Sequence, residues 1–296
     1  MGNQCFTYYD LDTGRKSASI EFVFPDWEGS KEKVVVFSPH DDDAILGAGY
    51  LMQAALANQA EVYVFIFCDG RAGYSHPEQK EKIVALRRAE TEAAYQTIGV
   101  AAERIVRLDY PDFSALGHIG WQLINGREGS FAITLRKLRE LGATRLVLPN
   151  GYREHIDHEA VFKIGAYDGP QVGDPILADW GLPQIIKSFL VYAVWGDFSP
   201  EAALLRGKSP DVRANMAIKA NQVVTDRIDA ALHQWNSQLQ IIAGILKARE
   251  ARKCQDGSIE GYLRFDPRPS LDYRPYVSKI DVIDKAATNA NEEKLK

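Results

Sequence analysis

The chain has 296 residues, 46% of them apolar, and a formal charge of −5: enough apolar material for a sizeable core, and no basic field to draw nucleic acid or anionic lipid. Cys5, Cys68 and Cys254 are odd in number and widely separated, which excludes a disulfide framework or a CxxC metal site within one chain and fits a reducing, cytoplasmic setting. No run reaches the roughly 18 to 20 apolar residues of a membrane span, and the first residues lack the apolar core of a signal peptide.

Residues 1–33 read as an N-terminal extension. Its aromatic residues Tyr8, Tyr9, Phe22, Phe24 and Trp27 suit an added strand, a cover for a sheet edge, or a partner contact. From there, short β-branched or aromatic runs alternate with segments of helical period. Val34–Ser38, Glu61–Cys68, Arg104–Leu108, Arg145–Pro149 and Ser188–Trp195 are expected as strands, and Ala44–Asn58, Pro77–Ile98, Phe131–Leu141 and His158–Ala166 as helices. The strands are continuously apolar, so both faces should be buried, as in a parallel sheet built from βαβ units with helices on either side. Asp168–Pro183, rich in Gly, Pro and Asp, is expected as a loop covering a site. Residues 214–253 are expected as one long helical region packed back on the sheet, and residues 266–296 as a polar C-terminal tail.

The stretch SPHDDDAILGAG sets His40, Asp41, Asp42 and Asp43 directly after the first of these strands. In open α/β sheets ligands bind beyond the carboxyl ends of strands, and carboxylates crowded there need a compensating cation. His40 and Asp43, three apart, can face one point as the chain turns into a helix. Taken alone, the cluster reads equally well as helix capping. The second cluster, GYREHIDHEAV, follows another strand end and places His155, Asp157 and His158 at a helix start. Two histidines three apart beside a carboxylate have metal-ligand spacing, with Asp157 able to orient an imidazole.

Together these residues offer His40, Asp43 and His158 as a two-histidine, one-carboxylate zinc site with a position left for water. Asp42 then suits a general base, and His155 an oxyanion stabiliser when protonated. Asp69 and Arg71 in CDGRAG and Asp112 in LDYPD occupy the same rim, where they are sugar contacts or ordinary turn residues; Tyr152 is an oxyanion contact or a plain loop tyrosine.

With both clusters in hand, the sequence resembles the PIG-L/LmbE-like family of zinc-dependent N-deacetylases. SPHDDDAILGAG is similar to that family's His-Pro-Asp-Asp-Glu pattern and HIDHEA to its His-Pro-Asp-His-x-Ala, with Asp41, Ala44 and Ile156 departing from it. FCDGRAG, LRRAETEAAYQTIGV, LDYPD, AALHQWNSQ and EGYLRF extend the resemblance in order, over about residues 34–265. The resemblance implies a Rossmann-like three-layer α/β/α sandwich with a mostly parallel sheet. It implies metal binding by His40, Asp43 and His158, a base at Asp42, an electrophile at His155, and Zn2+ as cofactor with Fe2+ as the other candidate. The expected substrate is a small-molecule amino-sugar conjugate carrying an N-acetylglucosamine unit. The rival readings are an amidase of a larger amide conjugate and a non-catalytic metal- or sugar-binding module. A homo-oligomer is left open.

Overall fold

In a computed structural model the described residues, 5–294 with side chains to 286, divide into two units at Phe265/Asp266. Residues 1–4 and 295–296, at the outer ends of the expected extension and tail, lie outside the described residues. The second unit carries a single helix, named α8 below.

The first unit runs β1 (Phe6–Asp10), β2 (Arg15–Ser17), β3 (Lys33–Ser38), α1 (Asp43–Ala57), β4 (Glu61–Cys68), α2 (Ile83–Thr97), β5 (Ile105–Tyr110), α3 (Ser130–Leu141) and β6 (Arg145–Pro149). It continues with α4 (Ile156–Asp168), β7 (Ser188–Tyr192), α5 (Pro200–Leu205), β8 (Met216–Ala220), α6 (Gln222–Leu232), α7 (Leu239–Arg249), β9 (Lys253–Cys254) and β10 (Gly257–Phe265). Helix α8 spans Arg274–Lys294.

The strands form one sheet in the order β2-β1-β8-β10-β7-β6-β3-β4-β5, with β9 against β10. Strands β7 through β5 in that order are parallel; β2, β1, β8 and β10 extend the sheet antiparallel. The α/β sandwich with a parallel core is the expected architecture. Val34 and Val36 of β3 enter the core shared with α1, α2 and α6, while Val35 and Phe37 enter the core shared with α3 and α4. All four are fully buried, which is why the strand reads as unbroken apolar sequence.

Strand order reverses between β3 and β6: β4 and β5 lie to one side of β3, β6 and β7 to the other. That switch point opens a crevice at the carboxyl ends of β3 and β6, where both sequence clusters emerge.

Residues 6–17 take the added-strand form: β2 lies at the edge of the sheet, and β1 lies inside it, paired to β2 and β8. Two expectations are corrected. Residues 214–253 are not one helical region but β8, α6, a 3₁₀ turn, α7, a second 3₁₀ turn and the start of β9: Met216-Ala-Ile-Lys-Ala has helix-favouring composition, yet its burial between β1 and β10 overrides that preference. Asp168–Pro183 does not cover the crevice. Because α4 starts at the carboxyl end of β6, its end at Asp168 lies at the opposite rim, from which the chain feeds the start of β7. There Arg139 of α3 pins the segment by donating to the carbonyls of Val172, Asp174, Ile176 and Leu177.

The same opposite rim fixes the β3/β6 seam. Fully buried Glu32 receives Arg145 Nε at 3.0 Å and Nη2 at 2.8 Å, and the Thr144 hydroxyl at 2.5 Å. Burial raises the Glu32 pKa, but the hydrogen bonds from Arg145 and Thr144 and the Arg145 charge outweigh it and hold the carboxyl at about 2. With a depressed folded-state pKa, the stability this pair provides is complete above the unfolded value near 4.5 and is lost as pH falls from there toward about 2. Glu32→Gln should therefore lower unfolding free energy at pH 7 by about 3 to 5 kcal/mol, because it leaves a buried guanidinium uncompensated. It should also flatten the acid limb of the stability profile; urea titrations at pH 7 and pH 3 read both effects.

Candidate active site

Helix α1 begins at Asp43 and α4 at Ile156, so the two clusters face each other across the crevice. Asp43 is nearly fully buried. Its Oδ2 accepts the His40 backbone N–H at 2.8 Å and lies 3.0 Å from His40 Nδ1 and 3.1 Å from His158 Nε2. Three side chains from two strand ends thus converge on one point.

Each imidazole is held at its other nitrogen by a carboxylate. His40 Nε2 meets Asp157 Oδ2 at 3.3 Å, and His158 Nδ1 meets Glu154 Oε2 at 2.9 Å. Asp157 is itself fixed by the backbone N–H groups of Phe113 (2.6 Å) and Ala115 (3.0 Å). Glu154 is fixed by three more, from Val194, Trp195 and Gly196, all donating to its Oε1 at 2.8 to 3.2 Å. A carboxylate behind each histidine sets ring orientation and tautomer, the arrangement that supports metal-ligating imidazoles.

The donor set fits a divalent cation. His158 Nε2 is buried without a hydrogen bond and points at Asp43, an unpaired polar atom that a cation would satisfy. Burial raises the Asp43 pKa, but the charges of His158 and His40 outweigh it and hold the carboxyl well below its usual range. Among the described residues two further sets bring ligand atoms within 4.8 Å: His40/His155/Asp157 and His40/Cys68/Asp112. Asp157 and Asp112 are already committed to backbone N–H groups, and burial pushes the Cys68 thiol up, away from the thiolate a metal needs.

The three acids of the first cluster are treated differently. Asp41 is fully buried and bridges Arg87 Nε (3.0 Å) and Arg107 Nη2. Gly70, at φ +75°, lets the neighbouring turn close over it: a Cβ there would sit 2.8 Å from Asp41 Oδ2. Asp42 has Arg87 Nη2 at 3.5 Å and no capping hydrogen bond. Burial raises its pKa, with Asp43 and Asp41 adding to the effect against the opposing charges of Arg87 and His40.

His155 precedes α4, and its Nδ1 accepts the Asp157 backbone N–H at 3.2 Å. Burial, then the charge of His40, lowers its pKa, favouring a neutral ring whose proton sits on Nε2. Asp69 and Arg71 are paired with each other, Arg71 Nε and Nη2 donating to Asp69, with the guanidinium half exposed. Asp112 receives the Gly70 and Ala72 N–H groups at 3.0 and 2.7 Å, holding the turn that carries Arg71. The Tyr152 ring lies under the Arg153 guanidinium.

Sequence reasoning missed Glu154, Phe113 and Trp195. Phe113, at φ 63° and 65% exposed, packs on His155 with ring centroids 4.6 Å apart; Trp195, 56% exposed, lies 4.9 Å from the His158 ring. A bulky residue with positive φ is strained, and here the strained backbone delivers the N–H that holds Asp157. Glu154 stands four residues before His158, the spacing at which side chains on a helix meet, and that is its one signal.

The PIG-L family model, described as GlcNAc-PI de-N-acetylase, matches residues 35–166, a span that includes both clusters. No curated protein matches the chain. Among solved structures, the conserved protein TT1542 from Thermus thermophilus aligns with TM-score 0.60 at 19% identity, covering 81% of this chain and 97% of that one. N,N'-diacetylchitobiose deacetylase from Pyrococcus horikoshii, complexed with its inhibitor MPG, aligns with TM-score 0.60 at 15% identity over 83% and 90% of the two chains. GalB, the 4-carboxy-2-hydroxymuconate hydratase from Pseudomonas putida, aligns with TM-score 0.52 at 14% identity over 81% and 99%. At such identities the likeness is one of fold, and that fold hosts more than one reaction.

Replacing Glu154 by Gln should weaken divalent-ion binding about 10- to 100-fold, the usual effect of removing a carboxylate behind a ligating histidine. Competition against a chromogenic chelator measures it, and unchanged affinity would show that Glu154 only braces the 194–196 loop.

Proposed function

We propose that this chain, whose residues 35–166 match the PIG-L model, is a zinc-dependent N-deacetylase acting on an N-acetylglucosamine-type conjugate. The observation that carries the reading is the convergence of His40, Asp43 and His158 beside Asp42, a buried carboxylate with no capping hydrogen bond and Arg87 Nη2 no nearer than 3.5 Å. Two imidazoles and a carboxylate suit Zn2+, and the same donors suit Fe2+. A cation there supplies a Lewis acid that lowers the pKa of water and polarises an amide carbonyl.

The remaining steps belong to the chain. Asp42 takes a proton from the attacking water as its oxygen bonds to the acetamide carbon. Neutral His155, its Nδ1 engaged by the Asp157 N–H, donates from Nε2 to the oxygen that gains charge. When the C–N bond breaks, Asp42 returns the proton to the leaving amine, and acetate departs. Arg71, held by Asp69 after β4, is the contact for sugar hydroxyls or an anionic aglycone; Tyr152 lies in the β6–α4 loop that also carries His155. The chitobiose deacetylase among the fold neighbours supports an amino-sugar substrate.

One observation favours the rival amidase of a larger amide. Exposed Phe113 packs on His155 and exposed Trp195 on His158, apolar surface beside the histidines that would suit a larger acyl group than acetyl. The products separate the two: acetate for the deacetylase, a longer acid for the amidase.

Asp42→Asn should reduce acetate release from N-acetylglucosamine derivatives by at least about 10²- to 10⁴-fold, the typical contribution of a positioned proton-transfer group, with bound zinc retained. Turnover near the wild-type rate would remove Asp42 from the mechanism, and loss of zinc would make it a ligand instead.

A further inference from the structure

Helix α1, which carries Asp43, is broken one turn in. Ala48 has φ −128° and ψ 19°, and the hydrogen bond that Tyr50 N–H would make to Leu46 C=O in a regular helix is replaced at both ends. The Tyr50 N–H donates to Glu260 Oε2 at 2.8 Å, while the Leu46 carbonyl accepts from Arg249 Nη1 and Arg252 Nη1, each at 2.8 Å. Side chains from far downstream in the chain are thus inserted into the ladder of the ligand-bearing helix.

Arg252 does more than replace that bond. Its Nη2 donates to the Val194 carbonyl at 3.1 Å, and the N–H of the same residue donates to Glu154, whose other oxygen holds His158. The guanidinium therefore closes a loop of contacts. It runs from Asp43 through the first turn of α1 to Leu46, across Arg252 to Val194, through Glu154 to His158, and back to Asp43. The helix comes this close to the 193–194 backbone because residue 47 is glycine: a Cβ there would lie 2.7 Å from the Ala193 carbonyl.

We propose that Arg252 is the positioning residue of the metal centre, setting the separation of Asp43 and His158 by tying the first turn of α1 to the loop that Glu154 clamps. The inference rests on the metal-centre reading above. Arg249 shares the Leu46 carbonyl but has no bond to Val194, so it is the internal comparison. A cavity of about 510 Å³, lined by Gly47, Val194, Trp195, Arg249 and Arg252, runs alongside and gives a small cation access to the Arg252 position.

The test titrates metal-free protein with Zn2+ against a chromogenic chelator and records the visible spectrum of the Co2+-loaded form, for wild type, Arg252→Ala, Arg252→Lys and Arg249→Ala. Thermal unfolding of each metal-free variant checks that it is folded. Arg252→Ala should bind Zn2+ about 10- to 100-fold more weakly and show a changed Co2+ spectrum, as expected when the supports behind metal ligands are removed, whereas Arg249→Ala should stay within about threefold of wild type. Added methylguanidinium should recover affinity in Arg252→Ala. Arg252→Lys, which replaces the planar fork holding the Leu46 and Val194 carbonyls on separate nitrogens by a single nitrogen, should fold and still bind weakly. Equal losses in Arg252→Ala and Arg249→Ala, or wild-type affinity and spectrum in Arg252→Lys, would overturn the role. If wild type itself took up neither ion, the metal-centre reading would fall, and the role of Arg252 with it.

Discussion

Everything at the centre of this protein follows from placing three consecutive carboxylates, Asp41, Asp42 and Asp43, inside the fold at the end of a buried strand. Buried carboxylates must be neutralised, paired or protonated, and the three are handled in three ways. Asp41 is sealed between Arg87 and Arg107 in a structural salt bridge. Asp43 is shared by two histidines and a backbone N–H, the geometry of a ligand. Asp42 is left between them with only a longer approach from Arg87, and its pKa rises. In the proposed function, one short run of sequence thereby provides an anchor, a ligand and a proton acceptor.

The rest of the fold holds those roles apart. The switch point between β3 and β6 supplies the crevice, and the Glu32–Arg145 pair locks the two strands at their far ends. At the near ends, loops after β5 and β7 provide the backbone N–H groups that fix Asp157 and Glu154, so each histidine is oriented by a carboxylate that is itself immobilised. Rigid elements and doubly supported ligands are what a preorganised centre requires.

Much of this was legible in the sequence, and the reasons for the omissions are physical. Strands β4 and β6 are read correctly to both ends because parallel strands buried on both faces give unbroken apolar runs between turn residues. Strands β8 and β10 escaped because antiparallel strands beside the core mix in Lys219, Glu260 and Arg264, which tertiary pairing tolerates and local pattern does not announce. The two site clusters stood out because each is contiguous. Phe113, Trp195 and Arg252 did not, because their meaning lies in partners far along the chain, up to 206 positions away; Glu154 lies within the second cluster, but the N–H groups that fix it come from residues 194–196. The segment after Asp168 misled for the opposite reason: its composition marks a loop correctly but carries no information about which rim of the sheet it occupies.

The proposed chemistry requires His40, Asp43 and His158 to hold a single divalent ion with room for a reactant. X-ray absorption at the zinc edge on protein reconstituted with Zn2+, with the bound metal counted by elemental analysis, tests it directly. The expected result is one ion per chain, two imidazole nitrogens at about 2.0 to 2.1 Å and oxygen donors completing the shell. Fewer than two imidazoles, a sulfur from Cys68, or no stoichiometric ion would contradict it.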